Sequence, residues 1–114
     1  MFLPGEHEIN DMMKMLSRSG DDELFILPLH ARLPFEQHQK IFDPAPIGTR
    51  KVILSTNLAE SSVTIPDISY VIDFCLTKKL KCDPTTNYTA LQLEWADKNS
   101  CEQRKGRAGR VRYL

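Results

Sequence analysis

Residues 51–65 read Lys51-Val52-Ile53-Leu54-Ser55-Thr56-Asn57-Leu58-Ala59-Glu60-Ser61-Ser62-Val63-Thr64-Ile65, an apolar strand that passes without a break into hydroxyls, an amide and an acid. The short apolar run from Lys51 to Ser55 suits a strand covered on both faces, as parallel sheets require. Its polar continuation then emerges at the carboxyl edge, where open α/β sheets bind their ligands. Hydroxyls, an amide and backbone N–H groups can hold phosphate or ribose oxygens without reading bases. They serve equally well as helix caps, and for this segment alone both readings stand.

Working upstream, Leu24 to Leu29 (LFILPL) is a second buried strand, and Met1-Phe2-Leu3 is an apolar strand ending. Between them Ile9, Met12, Met13 and Leu16 follow i, i+3, i+4, i+7 spacing, which predicts a helix over about 6–18 with its methionines in the core. Pro34 opens a second helix with Phe35, His38, Ile41 and Phe42 on its inner side, ended by a loop over 43–48. Downstream, Tyr70 to Phe74 (YVIDF) is a further buried strand after a Pro66-Asp67 turn. Strands alternating with helices predict an α/β fold, a doubly wound parallel sheet flanked by helices. From Leu76 to Trp95 the pattern changes to alternation around an Asp83–Asn87 turn, which predicts a β-hairpin. Trp95 keeps step with Leu91 and Leu93 and is read as core.

At the other end, Gln103-Arg104-Lys105-Gly106-Arg107-Ala108-Gly109-Arg110 places guanidinium groups at every third position, close enough on a helix to act on one anion. Arginine stays charged and can hold two phosphate oxygens in its planar fork. Arg-rich segments are ordinarily solvated faces or non-specific RNA tails. Here Gly106 and Gly109 stand where a stable surface helix would carry Ala or Glu, each at a cost of about 1 kcal/mol, which suggests close backbone approach. Ser100 and Gln103 also fit a capping box, so Gln103 either closes a first helical turn or reads phosphate.

At 114 residues and 41% hydrophobic content the chain is one domain at most, and both ends look cut. Fifteen basic and fifteen acidic residues cancel, so only local clusters, Lys78/Lys79/Lys81 and Arg104 to Arg112, point to nucleic acid. The three cysteines lack CxxC spacing and are odd in number, which favours neither a zinc site nor a disulfide framework and predicts no metal. No apolar run approaches the ~20 residues of a membrane span.

Pro4-Gly5 after a strand, then STNLAESSVTI, then QRKGRAGR in this order resemble motifs IV, V and VI of the DEAH-box RNA helicases of superfamily 2. QR rather than HR at the start of motif VI, and TNxAExSxT, set that group apart from DEAD-box proteins. The resemblance covers essentially the whole chain. It implies a partial second RecA-like domain (1–114) of the P-loop NTPase type, truncated at both ends, with the hairpin inserted before the last motif as the family's element near the strand-separation point. It further implies ATP held between two such domains, with Arg107 and Arg110 as arginine fingers, Gln103 on the γ-phosphate or attacking water, and Gly106 and the state-sensing Ser62 beside the nucleotide. Phe42 resembles the aromatic that stacks on adenine, and is equally placed to be core at a helix end. Gly5, His30 with Ala31, and Thr56 with Asn57 match positions that hold single-stranded RNA, while Glu60 is as readily a loop-holding residue. Arg104 fits the ladder, yet the resemblance leaves it more readily structural.

Asp73-Phe74-Cys75 departs from common DEAH members. With DFCLTKKLKCD and LEWADKNSC it makes the chain similar to the germline spindle-E type of helicase and its vertebrate tudor-domain counterpart. That similarity implies piRNA-mediated transposon silencing in the germline and meiosis alongside PIWI proteins, in cytoplasmic, perinuclear germ granules, with the nucleus as the alternative. A DEAH helicase of splicing or ribosome biogenesis is another assignment. The chain contains no GxxxxGK[ST] and no DExH, so ATP and Mg²⁺ would be bound by an absent first RecA-like domain and the chain alone would be inactive. The competing class is a non-catalytic RecA-like adaptor for RNA or protein.

Overall fold

A computed structural model describes residues 1–20, 23–61 and 65–108. The elements are α1 (Glu6–Arg18), β1 (Leu24–Leu29), α2 (Phe35–Gln39), β2 (Arg50–Ser55), β3 (Leu76–Cys82), β4 (Thr89–Trp95) and α3 (Lys98–Lys105), with 3-10 turns at Lys40–Phe42 and Asn57–Ala59. β1 and β2 pair in parallel, Leu24 opposite Arg50 through Leu29 opposite Ser55. Residues 1–3 run along the other side of β2, where Ser55 N donates to Met1 O (2.8 Å) and Leu3 N to Ser55 O (2.8 Å). Phe2 bridges in parallel to Asp73 beyond them.

Both faces of this sheet are covered, which is why its strands are continuous apolar runs. On one face Ile9 of α1 meets Leu3 and Leu54, with Met12, Met13, Leu16, Ile26 and Val52 packed around them. On the other, Phe2, Leu27, Leu29 and Ile53 meet Ile41 and Ala59, with Ile65, Ile68 and Val71 at their margin. The predicted helix over 6–18 and the strands at 24–29 and 51–55 are all present.

Three expectations change. Among the described residues the segment 70–74 is joined to the sheet through one bridge, at Asp73, and Tyr70, Ile72 and Phe74 are exposed while Val71 turns inward. In the second helix Pro34 is the residue before the first turn, and the chain tightens into a 3-10 turn after Gln39. That tightening changes the angular step between side chains. Ile41 alone of the expected inner set is fully buried, with Phe35 and Phe42 exposed. Thirdly, α3 begins at Lys98 and is capped by Asp97, whose Oδ1 accepts from Ser100 N at 2.7 Å. The Ser100–Gln103 box is therefore not the cap. This bond from the Ser100 N–H holds the Asp97 carboxyl below its ordinary pKa.

The hairpin forms as expected, Leu76 opposite Trp95 through Cys82 opposite Thr89. Leu80, Leu91, Leu93 and Trp95 share one face of it, and that face is open, with Trp95 76% exposed. Trp95 is thus not core: alternation identifies a shared face but not whether anything covers it. As the chain's one tryptophan, Trp95 is expected to give red-shifted emission that acrylamide quenches readily. A blue-shifted, protected emission would contradict the placement. Among the described residues, no helix is long and apolar enough to cross a membrane.

Candidate functional site

The parallel strands end side by side. Pro4-Gly5 follows residues 1–3, His30-Ala31 follows β1 and Thr56-Asn57 follows β2; Thr56 N donates to Leu29 O at 3.2 Å, which locks the last two together. The residues assigned to RNA from the sequence therefore share one edge. Thr56 caps the Asn57–Ala59 turn, its Oγ1 accepting from Leu58 N at 3.4 Å, so both readings of its hydroxyl remain physically compatible. Asn57 and Ala31 are exposed and His30 is buried. His30 is held at both ends, with Nδ1 accepting from Arg32 N at 3.3 Å and its carbonyl bonded to His38 Nε2 at 2.8 Å. The same carbonyl also accepts from Leu33 N at 3.2 Å, so the ring and the carbonyl of His30 are both engaged within the domain. A Cβ on Gly5 would meet Lys78 Nζ at 2.9 Å and Glu8 Oε2 at 3.1 Å, so glycine there admits the Lys78–Glu8 ion pair beside α1.

That pair matters for the basic cluster on the hairpin. Lys78 is bound to Glu8 at 2.7 Å and Lys81 to Glu94. Two of the three lysines are thereby neutralised within the domain, which leaves the arginine segment as the stronger anion candidate.

The arginine ladder is divided. Arg104 is 1% exposed. Its Nε donates to Glu60 Oε1 at 3.0 Å, and its Nη1 donates to Asp73 Oδ1 at 2.9 Å and to Leu76 O at 3.2 Å. The guanidinium also lies 5.2 Å from the centre of the Phe2 ring, a cation–π contact. Burial by itself would lower the pKa of Arg104, but the bonds to Asp73 and Glu60 outweigh it and raise that pKa above its ordinary value. Glu60 is tied again by Ser100, whose Oγ donates to its Oε2 at 3.1 Å. Glu60 is thus a structural residue, acting across the fold on α3.

Arg107 sits beyond the end of α3, half-buried, with its Nε donating to Gln103 O at 3.3 Å. It reaches the wall of an open cavity of about 870 Å³ that Lys51, Ile53, Asp67, Ile68 and Val71 also line. Lys51 Nζ is itself engaged, donating to Ile41 O at 2.8 Å and pairing with Asp67 at 3.0 Å. Gly106 is the C-cap of α3 with right-handed backbone, φ −69°. A Cβ there would stand 3.4 Å from Gln103 O, an ordinary contact. Gly106 is therefore neither in a helix interior nor crowded within the domain, and the close approach inferred from it is not made by this chain's described residues. Phe42 lines a second cavity of about 430 Å³, with Phe35, His38 and Leu58 among its walls. Of these two cavities Arg107 lines the first and Phe42 the second, and Phe42 is 54% exposed rather than core. Ser62 and Arg110 lie outside the described residues.

Sequence reasoning missed Asp73 and Asp97. Asp73 had a signal, since an acid inside the apolar run YVIDF needs a buried partner. Among the described residues one group of metal-ligand types converges, Asp73 with Cys75 and Cys101. Two thiols and a carboxylate already bonded to arginine do not fit a hard cation such as Mg²⁺.

The helicase conserved C-terminal domain model matches residues 1–112. The chain is 56% identical over 112 residues to the ATP-dependent RNA helicase TDRD9 of Mus musculus, covering 97% of this chain and 8% of that protein. It is 48% identical over 116 residues to the probable ATP-dependent RNA helicase spindle-E of Drosophila mojavensis, covering 98% and 8%. Among solved structures, the E. coli DExH-box NTPase HrpB superposes with a TM-score of 0.88 at 38% identity, over 97% of this chain and 14% of that one. The chain thus spans about 8% of the length of the curated relatives it matches.

Proposed function

This chain belongs to the helicase conserved C-terminal domain family and has its RecA-like fold, and from that premise we propose that it is the second RecA-like half of an ATP-dependent RNA helicase. In this reading Gln103, Arg107 and Arg110 act on ATP held by the first RecA-like domain. Gly106 allows that nucleotide's close approach, Ser62 senses its state, and exposed Phe42 stacks on its adenine. The edge at Gly5, His30-Ala31 and Thr56-Asn57 holds the sugar-phosphate chain of single-stranded RNA without reading its bases. Mg²⁺ belongs to the first domain, since no described group here suits it.

The observation that carries the proposal is the division of the arginines. Arg104 is consumed inside the domain by Glu60 and Asp73, while Arg107, three positions on, reaches an open cavity wall. The same clamp gives the mechanism its linkage. Thr56 and Asn57 open the turn that ends at Glu60, Glu60 holds Arg104, and α3 runs on to Arg107. A shift of the RNA-side loop is thereby passed to the ATP-side residue through a buried ion pair. Spread negative charge in the loose phosphoryl transition state is what such a cation stabilises.

The string DFCLTKKLKCD and its similarity to the spindle-E type support placing the parent protein in germline, piRNA-guided silencing with PIWI-pathway partners in the cytoplasm. The test of the core proposal compares this chain with a longer form that includes a first RecA-like domain. The longer form should show RNA-stimulated ATPase activity and the 114-residue chain none. RNA-stimulated hydrolysis by the chain alone would refute the half-site.

A further inference from the structure

We propose that Cys75 and Cys101 form a redox-active dithiol whose oxidation to a disulfide fastens α3 to the base of the hairpin. Cys75 immediately precedes β3 and Cys101 lies within α3. Their Sγ atoms and a carboxylate oxygen of Asp73 nevertheless lie within 4.8 Å of one another. A disulfide bond is about 2 Å long, so side-chain rotation has only a short gap to close.

The backbone at Cys75 points the same way. Its φ is +60°, a left-handed conformation that glycine adopts freely and a thiol-bearing residue does not. Asp73 holds it there, Oδ1 accepting from Cys75 N at 2.8 Å. Nothing in the backbone geometry calls for a side chain at this position, yet the thiol it carries lies beside Cys101. Burial, the bond to Cys75 and the Asp73 carboxylate raise the Cys101 pKa, which lowers its thiolate fraction and slows its attack on an oxidant. Asp73 already accepts from Arg104 through the same oxygen, so a divalent cation would have to settle beside a guanidinium. Disulfide chemistry has no such obstacle.

With hydrogen peroxide as oxidant the step balances. One cysteine, as thiolate, attacks a peroxide oxygen to give a sulfenic acid and, after proton transfer, a first water. The second sulfur then displaces the hydroxyl as a second water. Two S–H bonds are lost, one S–S bond forms, and peroxide takes up the two electrons. A thiol reductant reverses the reaction by exchange.

The test uses the unaltered chain, in which exposed Cys82 is the internal competitor. Native protein is treated with stoichiometric hydrogen peroxide, its remaining thiols are alkylated, and the digest is mapped by mass spectrometry with and without dithiothreitol. The expected result is one dominant linked peptide pair, Cys75 with Cys101, lighter by two hydrogens, removed by the reductant, with Cys82 recovered alkylated. The same treatment in denaturant should scramble the pairing among all three cysteines. Separate sulfinic acids at Cys75 and Cys101, or links made chiefly to Cys82 in the native state, would overturn the proposal. So would zinc retained through chelation that shields both thiols from peroxide, which would make this a metal site.

Discussion

Arg104→Ala is expected to destabilise the domain by about 3 to 5 kcal/mol, the range for removing one partner from a buried ion pair. The side chain is 1% exposed and its carboxylate partners Glu60 and Asp73 are 16% and 15% exposed. Alanine would leave two largely desolvated carboxylates with no cation between them, the Leu76 carbonyl without that donor, and a void beside Phe2. Against a typical total stability of 5 to 15 kcal/mol this is a large fraction. Arg104→Lys should recover only part of the loss, because one ammonium cannot reproduce a fork that bonds Glu60 through Nε and Asp73 through Nη1. Urea denaturation followed by far-UV circular dichroism would read the difference. A midpoint for Arg104→Ala within error of the parent would mean that the clamp contributes nothing.

Arg107→Ala is expected to leave that midpoint nearly unmoved and to lower kcat for ATP, in the form carrying both RecA-like domains, by roughly 10³-fold or more. Its guanidinium is half-buried at the end of α3 and bonds Gln103 O, whereas the Glu60–Asp73 clamp is built on Arg104. An interaction made mainly in the transition state lowers kcat and kcat/KM together, with little change in nucleotide affinity. Arg107→Lys should remain strongly impaired, since a point charge reaches fewer of the equatorial oxygens than a planar fork. The pair of variants thus separates two arginines that look equivalent in sequence: one should cost stability, the other turnover.

The parts of this fold that were legible are those where one local pattern has one physical solution. LFILPL and KVILS are continuous apolar runs because both faces of the sheet are covered, by α1 on one side and by Ile41 and the 65–71 segment on the other. The α1 stripe of Ile9, Met12, Met13 and Leu16 needed only its own spacing to be read. What failed depended on neighbours distant in sequence. YVIDF has the composition of a buried strand, but among the described residues it meets the sheet only at Asp73, beside Phe2, and Tyr70, Ile72 and Phe74 are exposed. Trp95 alternates with Leu91 and Leu93 as a core residue would, yet the hairpin face they share is uncovered.

The arginine ladder shows the same limit most clearly. On an ideal helix residues three apart differ by only about 60°, which put Arg104 and Arg107 on a common face. The helix ends at Lys105, so Arg107 leaves that face. The two carboxylates that draw Arg104 inward, Glu60 and Asp73, come from segments far upstream. No spacing rule within QRKGRAGR could have found them. Cys75 and Cys101 are a parallel case, brought together by the same packing of α3 on the base of the hairpin.

The most direct measurement of the central claim is the single-turnover rate of ATP hydrolysis, at saturating RNA, by the two-domain form carrying Arg107→Ala. If this domain completes an ATP site held by its partner, the rate should fall by roughly 10³-fold or more while nucleotide binding changes little. A rate equal to that of the unaltered protein would contradict the account and leave Arg107 a surface residue at a helix end.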